Sequence, residues 1–262
     1  MNKICIFLVL ALLGGSAEAK TACDDLHREQ SYPPLKLKSG TVCFVIEPVV
    51  DSKTKTLTGA NSISLYYSVN GNMPVKAEGR GLLYDDTPGQ IIDAFSSNVG
   101  RDQVEKIFVI HSVEVRDSLV EKNSSGDFYS IDVFALAGSA MRRDEHASSW
   151  FGEDYSFLSD GSKVVYTYPY QSKEDIQLAM ASPFATLMSD GGNVPARVKY
   201  KTYLFDGPDI RSRTKKYLIE GDRATVEKMT AGWCQVQYSG GAKPLDMWLM
   251  CSALAAEALQ KS

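Results

Sequence analysis

The chain has 262 residues, 28 Lys and Arg against 32 Asp and Glu, a formal net charge of −4 and 10% aromatic residues. Nothing in it approaches the dense basic patch that nucleic-acid binding requires. With only three His in the whole chain, acid–base chemistry has few imidazoles to work with.

Residues 1–19 carry the three parts of a secretory signal peptide: Lys3, an apolar run from Ile4 to Leu13, and Ala17-Glu18-Ala19 as a small-residue cleavage site. The run falls short of the ~18 to 20 apolar residues that span a bilayer. Cys23 follows Lys20-Thr21-Ala22 and lacks the apolar residue upstream that lipid attachment needs. The expectation is a cleaved chain in the periplasm or secreted, with no stable membrane insertion. Cleavage leaves Cys23, Cys43, Cys234 and Cys251, an even set that reads as disulfides with three connectivities. Sequence proximity favours Cys23 with Cys43 and Cys234 with Cys251. Zinc is disfavoured because no Cys-x-x-Cys pair occurs, and no other metal or cofactor is expected.

Strand signals dominate residues 42–170. Ile63 to Val69 ends at Asn70-Gly71, a tight-turn dipeptide. From Ile107 to Val115, Ile107, Val109, His111 and Val113 alternate with Phe108, Ile110, Ser112 and Glu114. Tyr129 to Leu136 and Val164 to Tyr170 read alike, giving an antiparallel sheet. Two helices are expected to interrupt it. One runs from Thr87 or Pro88 to Phe95, with Ile91, Ile92 and Phe95 on one side. The other runs from Ser172, as N-cap, to Ala181, with Pro183 ending it. Ser189 to Pro195 is the linker candidate, since two Gly and a Pro break both patterns. It divides residues 20–196, net −8, from residues 197–262, net +4.

Beyond the linker, short β-rich runs at Lys216 to Ile219, Ala224 to Lys228, Cys234 to Tyr238 and Met247 to Cys251 alternate with polar or Gly-containing turns. Each is too short to bury a face alone, so the runs are expected to close into a small barrel around Trp233, Val236, Tyr238 and Trp248. The fold class is therefore α+β: a strand-rich N-terminal domain with two helices (20–196) and a C-terminal small β-barrel (197–262).

The order Tyr217-Leu218-Ile219, Gly221-Asp222, Gly232-Trp233-Cys234, Val236, Tyr238, Trp248, Cys251 and Leu254 resembles bacterial SH3-like (SH3b) domains of exported proteins. Lys199 to Pro208 looks like that family's first strand and long loop. The resemblance covers about residues 197–255 and departs at Met247, where the family usually has Gly. It implies an SH3-like module that binds peptides, proteins or cell-wall polymer and performs no reaction.

Motifs for catalysis are weak. Gly138-Ser139-Ala140 is not a nucleophile elbow. His27 reads as a surface residue and His111 as a satisfied strand residue. Asp85-Asp86 and Glu153-Asp154 are adjacent acids that suit a cation or a glycosidase pair only if the fold aligns them. Met141 to Phe151 places Arg142, Arg143, Glu145 and His146 beside Trp150 and Phe151, a candidate partner-binding edge. Tyr203, Phe205 and residues 239–243 form a second candidate surface. The resulting expectation is a non-catalytic exported protein that binds another protein. Signal peptide, acidic body and SH3-like tail together are similar to periplasmic immunity proteins that block toxins passed between bacteria. A peptidoglycan-associated binding protein and an envelope hydrolase are the alternatives.

Overall fold

The computed structural model describes residues 22–99, 104–115, 126–188, 192–239 and 244–257. The expected signal peptide (residues 1–19), residues 189–191 of the expected linker and residues 240–243 of the second candidate surface lie outside them. Among the described residues no helix is long and apolar enough to cross a membrane.

Strands β1 (Gln30–Lys36), β2 (Gly40–Val50), β3 (Leu57–Val69) and β4 (Val75–Lys76) form a first antiparallel sheet in sequence order. Asn70 and Gly71 turn the chain after β3 with φ of 50° and 78°, a region that Asn and Gly tolerate. The second sheet contains β5 (Gln90–Val99), β6 (Val104–Glu114), β7 (Asp127–Ala137) and β8 (Ala140–Arg143). After the helix α1 (Glu145–Phe151), β9 (Glu153–Tyr155) returns to the free end of β7.

β6 explains how these sheets stack. Ile107 and Val109 pack with Val42, Phe44, Ile63 and Leu65 of the first sheet, while Phe108 and Ile110 pack with Trp150, Phe151 and the C-terminal strands. The strand is thus buried on both faces, including His111, whose Nε2 lies 3.1 Å from the Pro88 carbonyl oxygen. Burial pushes the His111 imidazole down to a pKa of about 4, so it stays neutral at ordinary pH.

The helix expected before Phe95 is instead strand β5. A bulge between Ile91 and Asp93 against β6 leaves Ile92 exposed and sends Ile91 and Phe95 into different cores. One extra residue in a strand imitates helical apolar spacing. The second helix is present as α2 (Lys173–Ala181), after the hairpin of β10 (Phe157–Asp160) and β11 (Lys163–Thr167). Ser172 caps it and exchanges bonds with Asp175, closing a capping box.

The C-terminal strands are β12 (Val194–Val198), β13 (Thr202–Phe205), β14 (Arg213–Leu218), β15 (Arg223–Thr230), β16 (Trp233–Tyr238), β17 (Leu245–Met250) and β18 (Leu254–Ala256). All four β-rich runs become strands. They pair in the order β14-β13-β17-β16-β15-β12-β18, an open seven-stranded ladder where a closed barrel was expected. β12 straddles the expected boundary at residue 197, and one apolar core runs from Phe108 and Trp150 to Val226, Val236 and Leu254.

Both expected disulfides are present, Cys23–Cys43 and Cys234–Cys251. The two C-terminal tryptophans differ from expectation. Trp233 is 1% exposed, but Trp248 is only partly buried. Val236 pairs with Met247 and Cys234 with Leu249 on the inner face, so the alternation of β17 puts Trp248 on the outer face with Trp233. There Tyr166 and Phe205 cover Trp233. Met247, the departure from the SH3-like pattern, is a core residue.

In urea unfolding, Trp233→Ala should destabilise the protein by about 3 to 5 kcal/mol, and Trp248→Ala by clearly less. Replacing Cys234 and Cys251 by Ser should cost about 3 kcal/mol, the chain-entropy value for closing a loop of this size.

Candidate functional site

A cleft of about 1180 Å³ lies between the β9–β11 segment and the outer face of β13, β14 and β16. Its floor is aromatic. Tyr166 stacks on Trp233 with centroids 6.0 Å apart, and Phe205 meets Trp233 edge-on at 4.9 Å.

On one wall, Asp154 follows Glu153 in β9. Its carboxylate accepts a 2.8 Å bond from the Tyr155 amide and interacts with the Tyr166 hydroxyl. The Tyr166 hydroxyl also donates to the Ala231 carbonyl at 2.8 Å. Burial pushes the Asp154 pKa up to about 6, against the Tyr155 amide and the Tyr166 hydroxyl, whose bonds to the carboxylate work to lower it. Opposite stands the ion pair of Asp209 and Arg211, 2.8 Å apart.

The rim is built by the β13–β14 hairpin. Tyr203 pairs directly with Tyr217, their rings meeting edge-on at 6.3 Å. The Arg213 guanidinium lies 3.6 Å from the centre of the Tyr203 ring, and the Lys201 ammonium 4.3 Å from that of Tyr217. Tyr203 is 37% exposed and Tyr217 51% exposed. Strand alternation accounts for the grouping: Arg213, Lys215 and Tyr217 leave β14 on one face while Leu218 enters the core.

The first expected partner-binding edge is taken apart by the fold. Trp150, 2% exposed, donates its indole N–H to the Phe184 carbonyl, and Phe151 is fully buried. Both face the core because Asp144 caps α1, accepting from the Ala147 amide at 3.0 Å, and the helix turns Ala147, Trp150 and Phe151 inward together. Arg143 is buried against Asp132 and also bonds Glu145 through Nε at 3.1 Å. Arg142 is exposed and holds Glu78 with two bonds of 2.9 and 3.0 Å. Glu145 and His146 are exposed in the first turn of α1. Trp150, Phe151 and Arg143 are therefore corrected from contact residues to core residues. Of the second surface, Phe205 is buried beneath Trp233, whereas Tyr203 stands on the rim.

Lys201, Arg213 and Tyr217 escaped the sequence reading. Their signal was the two-residue spacing in Lys201-Thr202-Tyr203 and in Arg213-Thr214-Lys215-Lys216-Tyr217, which marks a solvent-facing strand side. Asp85 and Asp86 sit in an exposed turn. A second cavity, of about 680 Å³, is lined by Arg28, Glu47 and Lys76. Burial works to raise the Glu47 pKa, but bonds from Lys76, Ser64 and Tyr66 outweigh it and lower it. That carboxylate is already saturated.

The raised pKa of Asp154 means that its neutral form stabilises the fold. This contribution is complete below about pH 4, the unfolded value, and is lost as pH rises through about 6. The melting temperature of Asp154→Asn relative to the parent should therefore climb between about pH 4 and 6 and level off above, as read by circular dichroism. No protein-family model, curated protein or solved structure matches the chain.

Proposed function

We propose that the chain is a non-catalytic, exported binding protein whose contact surface is the β13–β14 hairpin together with the cleft beneath it. The observation that carries this reading is the exposed ladder of Arg213, Tyr203, Lys201 and Tyr217. Tyr and Arg dominate binding energy at protein interfaces because they bring large contact area with a polar handle. Here the rings and cations hold one another in place before any partner arrives, which lowers the entropy lost on binding.

Two disulfides fit an oxidising compartment outside the cytoplasm. The strands β14 to β17, formed by the four runs that carry the resemblance, support the SH3-like reading of this region, although they pair in an open sheet. The partner we favour is a protein, and the function is that of an immunity protein which holds an interbacterial toxin inactive. Binding of cell-wall peptide by the same face is the alternative.

A second reading rests on Asp154. A partly buried carboxyl with a pKa of about 6, lining a cleft, suits a general acid. It favours an envelope hydrolase.

The tagged mature protein, its Tyr203→Ala variant and its Asp154→Asn variant should be tested for binding to a co-encoded toxin, for sedimentation with purified cell wall, and for release of cell-wall fragments. Tyr203→Ala should weaken toxin binding about thirtyfold, the effect of a hot spot of about 2 kcal/mol. Sedimentation lost in Tyr203→Ala, with no toxin bound, transfers the function to cell-wall binding. Release of fragments by the parent but not by Asp154→Asn overturns the non-catalytic reading.

A further inference from the structure

We infer that β14 is a docking edge for an extended acidic strand of the partner protein, added antiparallel or parallel to the seven-stranded sheet. The inference rests on the reading that the β13–β14 face is the contact surface, and it names what that surface recognises.

Three observations lead to it. First, β14 ends the pairing order: β13 covers one of its edges, and no described strand pairs with the other. The Lys216 amide is bonded at 3.1 Å to Thr214 Oγ1 of its own strand, a local substitute for a strand partner. Second, the charge on this face has one sign. Lys201, Arg213 and Lys215 are exposed and make no ion pair among the described residues; Arg213 and Lys201 lie over tyrosine rings instead. Third, these groups repeat every second residue along β14, as Arg213, Lys215 and Tyr217. That is the repeat of side chains on one face of an added strand.

Lysines along an edge ordinarily prevent pairing with other chains. A strand with carboxylates opposite Arg213 and Lys215 reverses that effect, since each of the two meets a cation across the new pairing. Basic or neutral strands keep the penalty. The edge therefore selects by charge as well as by backbone bonding.

The test uses the full mature chain and three synthetic decapeptides: alternating Glu-Val, alternating Lys-Val, and Glu-Val N-methylated at every second amide. N-methylation keeps the charge but removes the strand-pairing hydrogen. Calorimetry should find Glu-Val bound at least tenfold more tightly than the other two, with affinity falling as salt rises. Arg213→Glu and Lys215→Glu, both on the exposed face, should each remove most of that binding while leaving the circular dichroism spectrum unchanged. Equal binding of Glu-Val and its N-methylated form would overturn strand addition. So would equal binding of Glu-Val and Lys-Val, or no binding of any peptide. If toxin binding remains sensitive to Tyr203→Ala in those cases, the contact-surface reading stands and only the strand inference falls.

Discussion

The stacking of Tyr166 on Trp233 is the contact through which the two ends of the chain become one structure. Tyr166 comes from β11 and Trp233 from β16, and between them the aromatic faces exclude water from the seam. Phe205 closes it on the C-terminal side, and a second chain of ring contacts runs from Tyr168 and Tyr170 to Phe151, Trp150 and Phe108 within the same core. Large aromatic rings bury much area with few rotatable bonds, so a seam built from them is stiff as well as stable. Two of the buried hydroxyls have backbone partners: Tyr166 donates to the Ala231 carbonyl and Tyr168 to the Gly152 carbonyl.

The same seam explains the shape of the candidate site. The outer face of the C-terminal sheet is wide enough to hold Trp233, Phe205, Tyr203 and Arg213, but β11 covers only the Trp233 end. The uncovered end becomes the cleft and its rim. The aromatic residues of the rim therefore belong to the same surface as the core seam, continued into solvent, and the cations stacked on them replace the rings that cover Trp233 further in.

Local features of the chain were legible in the sequence. The Asn70-Gly71 turn, the Ser172 cap, the four C-terminal strands and the neighbouring cysteine pairs all depend on residues close together in the chain. The misreadings have a common origin in contacts between distant residues. The Ile91 to Phe95 spacing looks helical until the partner strand β6 reveals the bulge. Arg143 looks like a surface cation until β7 brings Asp132 beside it. Trp150 and Phe151 look like anchors for a partner until α1 delivers them to Tyr170. Tyr203 was recognised as a candidate, but its companions Arg213 and Tyr217 join it only through the hairpin pairing.

Gly152 sits where α1 meets the turn after β15, with φ of 65°, and a side-chain carbon there would come within 2.6 Å of the Thr230 hydroxyl and 2.7 Å of the Ala231 amide. The backbones of the two halves thus touch directly, and the Ala231 amide donates to the Phe151 carbonyl at 3.0 Å. Any residue with a Cβ at this joint would have to push the two backbones apart, so the small size of Gly152 sets how closely the segment carrying β9 to β11 approaches the sheet that faces it, and with it the width of the cleft.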